Sequence, residues 1–267
     1  MKPADLLQPV LDIAIEAGNR IMEVYASADF GVTQKGDASP LTLADLAAHE
    51  YIAASLAALP VGYPVLSEEA ADIPFETRRA WSHYWLVDPL DGTKEFIKRN
   101  GDFTVNIALV VDGYPLLGVV HAPALDLSYF AAEAAGAWCI RAGKREAIRT
   151  RPAAAVPAFV VSRSHKDATL EAFLAAAPPH EAVSRGSSLK FCQVAEGTAD
   201  LYPRTGPTSE WDTAAGQCVA EQAGAEVLRL PGFARLRYNQ KDSLLNPLFA
   251  VIGDPARNWK TLLSRVG

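Results

Sequence analysis

Leu6, Leu7, Val10, Leu11, Ile13, Ala14, Ala17, Ile21, Met22 and Val24 recur at helical spacing, which predicts a long amphipathic helix over 4–27. A polar loop with Gly and Pro follows at 34–40. Ser39 ahead of Pro40 reads as an N-cap, so a second helix is expected from there to about residue 59. Asp45 falls early in that helix, where the dipole favours an acid, and His49 and Glu50 are expected on its solvated face. Pro64, Val65 and Leu66 make a short extended piece ending at Ser67, Glu68 and Glu69. Two adjacent acids there are either a solvated turn or one carboxylate inward and one outward, because successive side chains of extended chain face opposite ways. The polar run 70–82 is expected either to cover the site loosely or to form a loop with a short helix.

The pattern then changes. Trp85, Leu86 and Val87 form an apolar run that reads as a buried strand and ends in Asp88, Pro89, Leu90, Asp91, Gly92 and Thr93, a turn. Strands are expected at 103–111 and 115–121, joined by the hairpin signal Asp112-Gly113, and again at 127–131 and 137–141 around Gly136. Two helices followed by an antiparallel meander predict an α+β first half. The Pro-bracketed stretch 150–157 reads as a linker, dividing the chain into 1–150 and 151–267. Beyond it the rhythm alternates. Strands are expected at 159–161, 182–183, 199–202, 225–228 and 249–252, with helices at 167–176, 188–195, 212–223 and 255–266. That is a smaller α/β unit with a mixed sheet.

Composition narrows the function classes. A chain of 267 residues, 49% apolar and 21% charged, is long enough for a proper core and is not disordered. The net charge of −6 disfavours general nucleic-acid binding. No apolar run is long enough to span a bilayer, and the acids within the first helix argue against a signal peptide. Cys139, Cys192 and Cys218 are widely spaced and read as buried thiols of a reducing compartment. A cytoplasmic protein is expected.

The chemistry gathers at the acidic turn. Asp88 and Asp91, with the Leu90 carbonyl between them, form an oxygen cluster suited to Mg²⁺, which leaves room for water and phosphate. A pair of ions would need further acids. Glu68 precedes the turn closely, and Asp212 comes late, at the cap of a helix whose first turn (Thr213, Ala214, Ala215, Gly216) is small. Taken alone, Asp212 reads as an N-cap as readily as a ligand. A Thr93 hydroxyl oriented by Asp45 would suit a water aimed at phosphorus, with no histidine base required. The five histidines show no metal-ligand spacing, and neither a Gly-x-Ser-x-Gly elbow nor a Walker loop occurs.

With those residues in hand, WLVDPLDGTKEF (85–96), WDTAAGQCVAEQAGAEV (211–227) and the Ser67, Glu68, Glu69 run resemble the inositol monophosphatase superfamily of lithium-sensitive, Mg²⁺-dependent phosphatases. The resemblance extends over essentially the whole chain. GSSLKFC (186–192), LYPR (201–204), PVLSEE (64–69) and the stretch 239–247 are similar to its CysQ-type branch, the 3'(2'),5'-bisphosphate nucleotidases. The resemblance implies a layered αβαβα sandwich. It implies two or three Mg²⁺ held by Glu68, Asp88, the Leu90 carbonyl, Asp91 and Asp212, with Asp88 bridging. It further implies Asp45 and Thr93 as the water-activating pair, assisted by Glu68, and the Gly92 and Thr93 amides on the scissile phosphate. Ser187, Ser188 and Lys190 would face the nucleotide together with Arg204, with Asp212 near it, and Lys35 matches a lysine on a loop that closes over the metals.

The expected activity is hydrolysis of the 3'-phosphate of adenosine 3',5'-bisphosphate to AMP and phosphate, with the sulfated analogue as a further substrate. The rival in the same class is an inositol or sugar phosphatase, whose pocket would need only polyol contacts. A non-catalytic metal- or nucleotide-binding protein on the same fold would have lost a ligand carboxylate, and none is lost. Relatives of this kind occur as monomers and homodimers, and some associate peripherally with the inner membrane, although no basic amphipathic helix supports that here.

Overall fold

The computed structural model describes residues 1–27, 30–34, 40–162 and 167–264. Helix α1 (Pro3–Tyr25) buries the stripe from Leu6 to Ile21 that its periodicity predicts. Strands β1 (Thr33–Gln34) and β2 (Pro40–Leu41) form a short antiparallel pair, Thr33 opposite Leu41. Helix α2 therefore starts later than the sequence suggests, at Leu43, and runs to Ala57. Ser39, the expected cap, lies outside the described residues, and Thr42 is the N-cap. Its hydroxyl accepts the Ala44 N–H at 3.2 Å, while Asp45 Oδ2 accepts the Thr42 N–H at 2.8 Å. This reciprocal capping box satisfies donors that the first turn leaves open. His49 does not sit on a solvated face: it is half-buried, its Nδ1 2.9 Å from Ser67 Oγ.

The next elements are β3 (Val65–Ser67), a 3₁₀ turn at Glu68–Ala70, α3 (Phe75–Arg78), β4 (His83–Asp91) and α4 (Thr93–Ile97). The meander follows as β5 (Thr104–Val111), β6 (Tyr114–Ala122), β7 (Leu127–Ala132), β8 (Gly136–Arg141) and β9 (Lys144–Ile148). Strands β3 to β9 lie side by side in chain order, with only β3 and β4 parallel. The reading of the sequence overlooked β9. It is an exposed edge strand, and its charges hide the strand signal while protecting the edge from further pairing.

A second sheet collects β10 (Ala158–Ser162), β11 (Glu181–Arg185), β12 (Leu201–Arg204), β13 (Glu226–Leu230) and β14 (Leu248–Ile252), in the order β11-β10-β12-β14-β13. It is mixed: β10 runs parallel to both neighbours, and β12, β14 and β13 are antiparallel. Its helices are α5 (Ala168–Ala176), α6 (Leu189–Ala195), α7 (Ala214–Gln222) and α8 (Lys260–Leu263). Strand β12 begins two residues past the predicted start. Asp200 is committed to a turn there, accepting from Arg151 at 3.0 Å and from the Ala158 N–H at 2.7 Å. The closing helix is likewise shorter than expected, because the Asp254 carboxylate caps a turn through the Ala256 N–H.

The alternation of side chains along the strands sorts these elements into layers. Trp85, Val87, Ile107 and Leu109 face α1 and α2, whereas Tyr84, Leu86, Ala108 and Val120 face α6 and α7. The second sheet closes that central layer with Val160, Tyr202, Val227 and Phe249, and its outer face packs Phe159, Val161 and Ala250 against α5 and α8. The result is an αβαβα sandwich. Its middle helices come very close to the larger sheet: a Cβ on Gly118 would lie 2.4 Å from the Ala215 carbonyl.

Candidate active site

Strand β4 does not end smoothly. Asp88 pairs with Asn106 and Asp91 with Thr104, and the register shifts between them. Pro89 cannot donate to the ladder, so the strand bulges where the two acids sit. Asp88 Oδ1 accepts the Leu90 N–H at 3.0 Å, folding the turn back on itself. Gly92 then takes a φ of 94°, a conformation that favours glycine, and a Cβ there would lie 3.1 Å from the Asp102 carbonyl. These constraints bring Thr93 over the N-terminus of α2. Its hydroxyl lies 3.3 Å from Asp45 Oδ1 and 3.4 Å from the Leu90 carbonyl. Asp45 is fully buried and held from behind by the Thr42 N–H and hydroxyl, at 2.8 and 2.6 Å. Its role as a first-turn acid and its contact with Thr93 are compatible, because each uses a different oxygen.

Asp212 arrives from the other half. It is not the cap of α7; Thr213 is, and Asp212 sits in the preceding turn with Oδ2 accepting the Ser209 N–H at 2.9 Å. Glu68, Asp88, Leu90, Asp91 and Asp212 share the wall of one cleft of about 380 Å³. Burial, then the neighbouring Glu68, Asp91 and Asp212 charges, push the Asp88 carboxyl well above the usual range. Burial and Asp91 likewise lift Asp212 to about 8, against the pull of the Ser209 N–H. Like charges converging in a low dielectric are relieved either by taking up protons, as these shifts record, or by a cation among them. All the donors are oxygen, the chemistry of a hard divalent ion. Among the described residues no three His, Cys, Asp or Glu groups close into a ready-made cage.

The same cleft is also lined by a cationic and partly aromatic set: Ser187, Lys190, Tyr202 and Arg204, with Thr208. Lys190 is buried and donates to the Ser187 carbonyl at 2.5 Å. Burial lowers its pKa to about 8, an effect that the Asp91 charge opposes. Arg204 donates Nε to the Gly206 carbonyl at 3.1 Å and one terminal nitrogen to the Pro207 carbonyl at 2.8 Å, which fixes the guanidinium plane. The buried Ser187 Oγ has no hydrogen-bond partner among the described residues. Ser188 is placed differently from expectation. It is not on the cleft wall but beneath the acidic turn, its Oγ 3.1 Å from Asp91 Oδ2 and 2.6 Å from the Asp212 carbonyl. Lys35 lies outside the described residues. Asn106 was missed, although an amide inside the otherwise apolar run of β5 was a usable signal: it pairs with Asp88 and donates to Ser188 Oγ at 2.9 Å.

A two-sheet αβαβα sandwich whose cleft gathers acids and the cations Lys190 and Arg204 belongs to a known class. The chain is a member of the inositol monophosphatase family, whose model matches residues 3–262. Among curated relatives, it is 52% identical to the 3'(2'),5'-bisphosphate nucleotidase CysQ of Escherichia coli (strain K12), over 92% of this chain and 99% of that protein. It is 36% identical to the CysQ of Haemophilus influenzae, over 96% of both chains. Among solved structures, the crystal structure of CysQ from Bacteroides thetaiotaomicron superposes with a TM-score of 0.82 at 44% identity, covering 92% of this chain and 96% of that one. The inositol monophosphatase from Anabaena shares the fold, with a TM-score of 0.77 at 21% identity over 99% of this chain and 97% of that one.

Proposed function

We propose that this chain hydrolyses the 3'-phosphate of adenosine 3',5'-bisphosphate, giving AMP and phosphate, and that it also accepts the sulfated analogue. The observation carrying this reading is the lining of the cleft. Carboxylates and the cations Lys190 and Arg204 line the same cleft, together with Tyr202. A second phosphate on a planar nucleoside gives Lys190 and Arg204 a ligand anion that a ligand with a single phosphate would not supply. The names of the curated relatives support the same substrate.

In this reading Glu68, Asp88, the Leu90 carbonyl, Asp91 and Asp212 hold two or three Mg²⁺. Bound there, Mg²⁺ supplies charge neutralisation for the phosphate and lowers the pKa of water. The chain's own groups do the positioning. Asp45 accepts a hydrogen bond from the Thr93 hydroxyl, which turns the Thr93 lone pairs toward the attacking water, and Glu68 helps to position that water. The Gly92 and Thr93 amides hold the transferring phosphoryl oxygens. Water adds to phosphorus, the bond to the 3'-oxygen breaks, and that oxygen takes up the proton the water gives up, leaving as the nucleotide hydroxyl. Residues 1–150 contribute the acids other than Asp212, and 151–267 contribute Asp212, Lys190 and Arg204.

The test is phosphate release from adenosine 3',5'-bisphosphate and from inositol 1-phosphate, each with and without Mg²⁺. Fast, Mg²⁺-dependent turnover of the nucleotide is expected. Much faster turnover of inositol phosphate would overturn the substrate assignment, and turnover indifferent to added Mg²⁺ and to chelator would overturn the metal.

A further inference from the structure

Asn106 sits at the centre of strand β5, fully buried, and a buried amide is costly unless its donors and acceptor are used. All are. Its Oδ1 accepts the Thr104 hydroxyl at 3.0 Å, and its Nδ2 donates to Ser188 Oγ at 2.9 Å and lies 3.4 Å from Asp91 Oδ2. The orientation of the amide is dictated by chemistry: reversing it would set its oxygen against a carboxylate oxygen, an acceptor with nothing to offer. Thr104 and Asn106 are themselves the cross-strand partners of Asp91 and Asp88, two residues apart and so on one face of the sheet.

Ser188, accepting from Asn106, has one proton left. Its two acceptors are the Asp212 carbonyl at 2.6 Å and Asp91 Oδ2 at 3.1 Å. The chain Thr104, Asn106, Ser188 thus crosses from the larger sheet to the start of α6 and ends on the two acids that come from different halves of the molecule. It occupies only Oδ2 of Asp91. The far end of Asp212 is pinned separately, its Oδ2 accepting the Ser209 N–H at 2.9 Å.

We propose that Asn106 and Ser188 are positioning residues that set the distance between Asp91 and Asp212, and through it the affinity of the site for a divalent cation. The inference rests on the metal-binding reading above. Groups that orient metal ligands without touching the metal typically change affinity by about 10–100-fold when removed. Asn106 and Ser188 act as one unit, because Ser188 joins the two acids and Asn106 fixes the hydroxyl that does so.

The experiment measures Mn²⁺ binding to the full-length chain by EPR without substrate, for the parent, Asn106→Ala, Ser188→Ala, the double variant and Thr104→Val. Each alanine variant is expected to weaken Mn²⁺ binding by about tenfold or more. The double variant should match the worse single, since the two changes share one path. Thr104→Val, nearly isosteric and removing only the hydroxyl that orients the amide, should move affinity the same way by a smaller factor. It also keeps the test decisive if an alanine variant fails to fold. Unchanged affinity across the folded variants, or losses that multiply in the double variant, would overturn the relay alone. A parent chain that binds no Mn²⁺ would overturn the metal-binding reading and the relay with it.

Discussion

Replacing Gly118 by alanine isolates how the larger sheet positions the late half of the site. Gly118 has no positive φ, so alanine is tolerated by the strand backbone, and the effect is purely steric. The added Cβ would lie 2.4 Å from the Ala215 carbonyl oxygen and 2.8 Å from Cys218 Cβ, both on α7. A carbon and a carbonyl oxygen rest at about 3.3 Å or more, so the helix must retreat by roughly 1 Å. It has no free direction, because Gly216 on the same helix already stands where a Cβ would lie 2.7 Å from the Phe191 ring of α6. Forcing one methyl into a filled core costs about 1–3 kcal/mol. For a chain of this size each kcal/mol lowers Tm by about 2–4 °C, so a fall of roughly 5 °C is expected. Asp212 precedes the cap of α7 by one residue and moves with it, and misplacing a reacting group by about 1 Å costs on the order of 10²-fold. Thermal unfolding by circular dichroism and the Mg²⁺ dependence of phosphate release read the two effects. An unchanged Tm together with an unchanged Mg²⁺ activation constant would refute the claim that α7 is wedged against β6 and carries Asp212.

Two further outcomes are expected. Thr93→Val keeps the shape of the side chain but removes the hydroxyl bonded to Asp45. It should lower kcat by at least about 10²-fold, the scale of a lost proton-positioning group, with Mn²⁺ affinity retained, and near-parental kcat would refute the Asp45–Thr93 role. His121 is buried against Gly18 and Ser128, and burial depresses its pKa from 6.5 to about 4. Between those values the unfolded chain binds the extra proton, so the stability this group confers is complete above pH 6.5 and is lost as pH falls toward 4. At about 1.4 kcal/mol per unit the loss is roughly 3 kcal/mol. Urea midpoints at pH 7 and pH 4.5 should therefore differ less for His121→Asn than for the parent, a subtraction that removes the opposing contribution of the buried acids. Equal pH sensitivity in both would refute the assignment.

Much of the architecture was legible because burial and periodicity are local signals. The helical stripe from Leu6 to Val24 and the Asp112-Gly113 hairpin need only their neighbours in sequence, and both appear where the pattern puts them. The errors fell where a distant partner overrides local preference. Pro40 looked like the first residue of a helix, but pairing with Thr33–Gln34 makes it a strand and passes the cap to Thr42. Lys144–Ile148 carries too much charge to look like a strand, yet an open edge beside β8 recruits it.

The candidate site divides in the same way. Asp88, Leu90, Asp91, Gly92 and Thr93 are contiguous, so the turn that presents them is written in a dozen residues, with Pro89 and Gly92 supplying the bulge and the reversal. What the sequence by itself determined was therefore the kind of chemistry: oxygen donors, an acidic turn and a hydroxyl beside it. Only the tertiary structure decided how the donors are divided between binding and holding. It placed Ser188 beneath the turn rather than against the cleft, and it made Asn106 the link from one half to the other. The reason is range: a hydrogen bond across 82 residues leaves no periodicity, spacing or cap in the chain, and it exists only once two sheets have closed on the helices between them.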